Sequence, residues 1–351
     1  MRIAVLMTGL TAYQDVCFRE LAALGDDILL VHPPTMPFAE FDKTKFTREV
    51  ERIVWNPDMP SAAELVPQIE AFAPDVVIMW SWDGAGYRAV MKKFRRRALR
   101  VMFSSNFWHG TPKQYAGLVA RYAYVTPLFD AVWVPGERSE LFAKRIGFDG
   151  SQVIRGANSA DTDLFDRGPR TGAELASRRR FLFTGRLIWH KAPTLLAEAY
   201  AEYRTRVPDP WELDIVGDGP LKKDFAGIDG VRLEGFMQPE ALAARMQEVS
   251  CLILPSHIEW YGVVVHEAAV AGLPVICSDG VGAAPHLLQD GFNGWTAAAG
   301  SKSELVTAME RMTAAGPERL EEMSRGSQAL GSRLTPRIWA RNLHEELERR
   351  R

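Results

Sequence analysis

The 351-residue sequence predicts an α/β protein built from two domains, each a doubly wound parallel sheet, and three observations carry that expectation. Short runs of β-branched and apolar residues alternate with longer amphipathic stretches, the pattern of strands joined by helices. Most of these runs are apolar throughout, as in parallel strands covered on both faces. The alternation pauses once, in the polar segment 161–180 with Gly168-Pro169, Gly172 and Arg178-Arg179-Arg180, and then restarts.

In chain order, strands are expected at 3–7, 27–32, 76–80, 101–105, 131–135 and 152–155, then at 181–184, 213–216, 231–233, 251–254 and 275–278. The first is Ile3-Ala4-Val5-Leu6-Met7, ended by Thr8-Gly9. Helical patterns between them are clearest at 193–206 and 238–247, and a last one, 336–351, has no strand after it. Two Rossmann-like halves follow, 1–157 and 158–335, without internal repeats or low-complexity segments.

Composition narrows the function classes. Apolar residues make up 47% and charged residues 25%, enough for a sizeable core. The net charge of −2 argues against a dedicated nucleic-acid binder, which carries a strongly basic face. Cys17, Cys251 and Cys277 are widely spaced in apolar surroundings, so neither a disulfide framework nor a cysteine metal site is expected. The N-terminal apolar run is too short for a signal peptide, and no segment supplies the roughly 18 apolar residues of a membrane span. A cytoplasmic protein is expected.

Recognisable chemistry concentrates in the second half. The strand 181–184 ends at Gly185, followed by Arg186 and, five residues on, Lys191. Ligands of doubly wound sheets bind off the carboxyl ends of strands. There a planar guanidinium and a point-charge ammonium suit a diphosphate. Taken alone, such a pair is more often a solvated basic loop. The strand 213–216 runs into Gly217-Asp218-Gly219-Pro220-Leu221-Lys222. Lys222 stands where a third glycine of G-x-G-x-x-G belongs, so the dinucleotide fingerprint is incomplete and a tight turn is the plain reading.

After 251–254 come Glu259, Gly262 and Glu267, with a helix expected to start near Gly262. The free N–H groups of a helix start suit an anion. Two carboxylates eight residues apart can accept from different hydroxyls of one ligand. Glu267 lies beside Ala268, Ala269 and Ala271, and a carboxylate on so apolar a face needs a partner or a ligand. The turns around Gly280 and Gly282, and around Gly291 and Gly294, read either as loops near a ligand or as ordinary caps.

In this order, Gly185-Arg186-Leu187…Lys191, Gly217-Asp218-Gly219-Pro220-Leu221 and Glu259…Glu267 running into Ala269-Val270-Ala271-Gly272-Leu273-Pro274-Val275 resemble one known family. It is the retaining, nucleotide-sugar-dependent glycosyltransferases of the GT-B fold, glycosyltransferase family 4. Upstream, Val134-Pro135-Gly136-Glu137 resembles the family's strand before the interdomain segment, and Asn158…Phe165 its linker, with Ser159-Ala160 in place of Gly-Val. The family's N-terminal Gly-Gly loop stands here as Thr8-Gly9-Leu10-Thr11.

The resemblance implies a GT-B fold, two Rossmann-like domains with a cleft between them. Residues 1–157 would bind the acceptor, with the helix 336–351 packing back on them, and residues 158–335 would bind the donor. Arg186 and Lys191 would hold the diphosphate and stabilise the leaving group. Glu267 would accept from the ribose hydroxyls, Glu259 would face the donor sugar, and backbone around Gly262, Val263 and Val264 would meet sugar and phosphate. Gly185 and Gly217 would adjoin the donor, Met237 would lie in the base-binding loop, and Gly9 would contribute from the first domain. No metal and no cofactor beyond the nucleotide-diphosphate sugar is implied. The reaction would be a retaining hexosyl transfer to a hydroxyl of a glycan or lipid-linked acceptor, in polysaccharide or glycoconjugate biosynthesis. The other readings are a further GT-B activity, such as a phosphorylase or nucleotide-sugar epimerase, or a non-catalytic nucleotide-sugar-binding protein.

The first half is less legible. His109, in Ser104-Ser105-Asn106-Phe107-Trp108-His109-Gly110, stands where the family often keeps a histidine near the donor sugar, with Asn106 as the other choice. Trp80 and Trp82 suit either sugar stacking or core packing. Over 90–98, apolar residues at 90, 91, 94 and 98 fall on one helical face and cations fill the rest. Such a face reads as a solvated basic helix or as a peripheral contact with the inner membrane face.

Overall fold

The computed structural model describes residues 1–34, 41, 42, 46, 47, 49–56, 59, 62–80, 82 and 84–351. They form two compact units, Met1–Ser159 with Leu334–Arg351, and Ala160–Arg333.

In the first unit the described strands are β1 (Arg2–Leu6), β2 (Asp27–His32), β3 (Glu51–Val54), β4 (Val76–Trp80), β5 (Leu99–Phe103), β6 (Ala131–Val134) and β7 (Val153–Arg155). They make one parallel sheet in the order β3-β2-β1-β4-β5-β6-β7. β4 is buried at every position, as a central strand packed on both faces must be. Trp80 belongs to this core: it stacks on Phe103 with ring centroids 4.1 Å apart and meets Trp133 edge-on. Trp82 lies near Phe142, while Ser81 and Asp83 fall outside the described residues.

The terminal helix Pro336–Arg350 packs on this unit against the helix Ala12–Ala22. Trp339 is its anchor, edge-on to Phe18 at 5.6 Å and 5.2 Å from Trp133, and its indole N–H donates to the Ala157 carbonyl at 3.0 Å. Buried Asp26 holds both the N-terminal ammonium, at 2.7 Å, and His344 of that helix, at 2.8 Å.

In the second unit the described strands are β8 (Arg180–Thr184), β9 (Glu212–Val216), β10 (Val231–Gly235), β11 (Cys251–Leu254), β12 (Val275–Ser278) and β13 (Gly294–Ala297). Their order, β10-β9-β8-β11-β12-β13, is again all parallel. The polar segment 161–180 is integral to this unit. Arg170 in it is buried and donates to the carbonyls of Met246, Gln247 and Val249, neutralising the end of the helix Pro239–Met246. The three cysteines are buried and none forms a disulfide. Burial pushes the Cys251 and Cys277 thiols well above the usual range.

The strands missing from the sequence-based expectation are β3 and β13, both sheet edges. β3 reads Glu-Arg-Ile-Val with both ends exposed, and β13 is a four-residue strand starting on glycine, so neither shows the apolar run of a doubly covered strand.

The expected apolar face over 90–98 is corrected. The helix Ala85–Lys93 ends before that segment does, and Arg96 turns the chain at φ +62. Val90, Met91 and Phe94 are buried in the core, so the apolar face packs inward and the exposed residues of the segment are its cations. Among the described residues no helix is long and apolar enough to cross a membrane.

Trp339→Ala should cost about 3–5 kcal/mol by removing a buried aromatic and a buried hydrogen bond. Urea denaturation checks it; Arg337→Ala, exposed on the same helix, should change stability by under about 0.5 kcal/mol.

Candidate active site

Strand order in the second unit reverses between β8 and β11, and a doubly wound sheet opens its ligand crevice at such a switch point, outside the carboxyl ends of the strands. The loop leaving β8 carries Gly185, Arg186 and Lys191, and the loop leaving β11 carries Glu259 and Gly262. The Ile258 N–H donates to the His190 carbonyl at 3.2 Å, tying these loops together.

The Lys191 ammonium pairs with the Glu259 carboxylate, and both side chains are largely buried. Lys191 lies across Gly185: a Cβ there would stand 3.3 Å from its Cε. Backbone bonds on both sides fix Glu259, its N–H donating to the Gly280 carbonyl at 3.0 Å and its carbonyl accepting from the Gly282 N–H at 2.9 Å. Gly282 is a packing requirement, since a Cβ there would lie 2.2 Å from the Trp260 carbonyl oxygen. Gly217 has the same origin. At φ +137 its missing Cβ would sit 2.0 Å from the Gly185 carbonyl oxygen, so this glycine admits the β8 loop. The Gly217 N–H donates to the Gly235 carbonyl, which brings the loop of Phe236 and Met237 alongside; Met237 itself is half-buried against the core.

Gly262 caps the helix Val263–Val270 in the left-handed region, φ +88, leaving the first-turn N–H groups of Val263 and Val264 without helical partners. One turn on, Glu267 is half-buried and accepts no hydrogen bond from the described residues. Burial pushes its carboxyl up to about 7; the nearby Asp161 charge adds to the rise and Lys191 opposes it. Arg186 is exposed and makes no ion pair with the described residues. Two cations, two carboxylates and a helix start thus share one switch point. Among the described residues no three metal-ligating side chains converge.

Gly9 and His109 belong to the first unit. Gly9 is buried between β1 and the helix Ala12–Ala22. His109 is exposed, with its ring 4.2 Å from that of Phe107 and its N–H donating to Gln114. Burial, then the Arg138 charge, lower its pKa and favour the neutral ring.

Sequence reasoning passed over two features. Buried His266, preceding Glu267, accepts from the Ala160 N–H at Nδ1 (3.0 Å), so its proton is on Nε2 and is donated to the Gly331 carbonyl at 2.7 Å. A row of rings, His257, Trp189, His190 and Trp260, flanks the Lys191–Glu259 pair at 5.1–5.5 Å spacing. Both follow from neighbours in sequence, but only the folded loops reveal the contacts.

Residues 178–315, which include every residue of this switch point, match the family model for Glycosyl transferases group 1. The chain is 29% identical over 178 residues to an alpha-D-kanosaminyltransferase of Streptomyces kanamyceticus, covering 49% of this chain and 45% of that one. It is 32% identical over 214 residues to a D-inositol 3-phosphate glycosyltransferase of Gordonia bronchialis, covering 55% and 46%. The chain thus matches less than half the length of these relatives. Among solved structures, Anabaena Alr3699/HepE in complex with UDP and glucose superposes with TM-score 0.78 at 18% identity, covering 99% of this chain and 100% of that one. Sucrose-phosphate synthase from Thermosynechococcus elongatus gives 0.75 at 17%, covering 99% of this chain and 98% of that one. The fold is that of the GT-B glycosyltransferases, and the segment bearing the motifs is of the group 1 type.

The raised carboxyl has a consequence for stability. Glu267 holds its proton more tightly folded than unfolded, so the folded state is penalised as pH climbs from the ordinary value of 4.5 through about 7, and the full penalty persists above. Glu267→Gln should therefore be more stable than the natural protein at about pH 8, by on the order of 2 kcal/mol, and indistinguishable at about pH 4. Denaturant titrations at the two pH values check this.

Proposed function

We propose that the protein is a retaining glycosyltransferase moving a sugar from a nucleoside diphosphate sugar to an acceptor hydroxyl, in the family 4 manner. The observation that carries this reading is the convergence of Arg186, Lys191, Glu259 and the unpartnered Glu267 on one switch point. Arg186, Lys191 and the N–H groups of Val263 and Val264 supply the positive charge a diphosphate needs, so the chemistry is assigned without a metal. Glu267, ionised, accepts from the ribose hydroxyls and regains there the hydrogen bonds it lacks. Met237 and its loop border the base, and Glu259 accepts from hydroxyls of the donor sugar.

In the transfer, the bond from the anomeric carbon to the phosphate oxygen breaks and its electron pair stays on the phosphate. Arg186 and Lys191 stabilise that developing charge. The acceptor hydroxyl attacks from the face the phosphate leaves, through an oxocarbenium-like state, and its proton passes to the departing phosphate. His109, neutral, is assigned to the reacting sugar, and Gly9 to the close approach of ligand to the first unit. The acceptor is assigned to glycans or lipid-linked glycoconjugates. The UDP in the Anabaena structure makes UDP the first nucleotide to test.

UDP should raise the melting temperature, by mass action worth about 2.7 kcal/mol at a hundredfold excess over Kd. Arg186→Ala should weaken UDP at least tenfold, whereas Glu259→Gln should keep UDP binding and lose transfer. No shift with any nucleoside diphosphate, or unchanged UDP affinity in Arg186→Ala, would sink the reading.

A further inference from the structure

The helix Val263–Val270 carries Glu267 and the free first-turn N–H groups, yet its own sequence does little to fix it along its axis. Six of its eight side chains are valine or alanine, whose packing is non-directional. Only His266 and Glu267 can form hydrogen bonds through their side chains, and Glu267 accepts none from the described residues. The register of the helix therefore falls to His266.

His266 is buried and gives both ring nitrogens to backbone, one 3.0 Å from the Ala160 nitrogen and the other 2.7 Å from the Gly331 oxygen. Those partners mark two particular places in the chain. The polypeptide enters the second unit at Ala160 and leaves it at Arg333, just past Gly331. Gly331 ends the helix Pro317–Gly331, so its carbonyl is among those left without a helical partner. The two helices touch there, since a Cβ on Gly331 would stand 2.7 Å from the Val270 nitrogen. Close contact sets the spacing of the helices, and the two bonds, being directional, set their register.

The Ala160 bond reaches Glu267 by a second route. Asp161 follows Ala160, and its carboxylate accepts from the Leu164 N–H at 3.2 Å. Its charge is felt at Glu267 and helps to hold that carboxyl up. One imidazole thus fixes both Glu267 and the acidic neighbour that tunes it.

We infer that His266 is a positioning residue of the donor site, a neutral Nε2-protonated imidazole that locks Glu267 in place from the entry and exit of the second unit. The inference rests on the role given to Glu267 above, and His266 itself touches no substrate. A displacement of about 1 Å in a positioned group can cost about a hundredfold in rate, so two bonds remote from the ligand suffice to matter.

Conservative substitutions dissect the lock. In His266→Asn the amide falls near the place of Nδ1 and can serve Ala160; in His266→Gln it falls near that of Nε2 and can serve Gly331. Each keeps one bond and should weaken UDP at least threefold by calorimetry, and His266→Leu, which keeps neither, at least tenfold. A double-mutant cycle with Glu267→Gln separates positioning from general loosening. Glu267→Gln alone should weaken UDP at least tenfold, and adding any of the His266 substitutions to it should change the affinity less than twofold. Equal losses in both backgrounds make His266 merely structural and overturn the inference, as does natural UDP affinity in the Asn and Gln variants. Natural UDP affinity in Glu267→Gln alone overturns the ribose role of Glu267 and the inference with it. Nitrogen NMR reads the lock where a His266 variant fails to fold. The His266 ring signals should report the Nε2–H tautomer and shift with UDP in the natural protein but not in Glu267→Gln; an Nδ1–H tautomer, or no shift, overturns the inference.

Discussion

Backbone running against backbone at the carboxyl ends of the second sheet is the constraint on which the candidate site depends. The Gly185 carbonyl rests where a Gly217 side chain would be, and the Trp260 carbonyl where a Gly282 side chain would be. Any larger residue at either position forces these loops apart by more than an ångström, because carbonyl oxygens cannot yield as a flexible side chain can. Only with the loops in contact do Lys191 and Glu259 reach each other, with the Lys191 charge also felt at Glu267.

Electrostatics then divides these groups into satisfied and unsatisfied. Lys191 and Glu259 neutralise each other, which offsets part of the desolvation cost of holding two charges in a largely buried place. Glu267 has no such relief and holds its proton to near neutrality. Arg186 waits in solvent without a counter-ion among the described residues. On the reading proposed above, a diphosphate carrying a ribose would supply what both lack, an anion for the guanidinium and donors for the carboxylate. The site is therefore poised for a ligand at some expense in stability, the usual relation between function and fold.

The first unit shows the opposite arrangement, a well-filled core with its chemistry on the outside. Its aromatic core of Trp80, Phe103, Trp133, Phe18 and Trp339 is sealed by a helix that comes from the far end of the chain. Its surface collects cations that the small net charge of the whole chain conceals.

The sequence by itself determined the α/β class, most strands and the helices between them, because doubly covered strands must be apolar along their whole length and so announce themselves. It also contained the motif residues Arg186, Lys191, Glu259 and Glu267 in order, since short loops keep the first three close to their strand ends and Glu267 follows on the next helix. The edge strands β3 and β13 were illegible because an edge needs no second apolar face. Tertiary structure alone decided the rest. It paired Lys191 with Glu259 across 68 residues, and it showed that packing alone requires glycine at 217 and 282. It also buried the apolar residues at 90, 91 and 94 while leaving Tyr115, Val119 and Tyr122 in solvent. Periodicity reveals that a helix has an apolar face; only the neighbouring elements determine whether that face is covered.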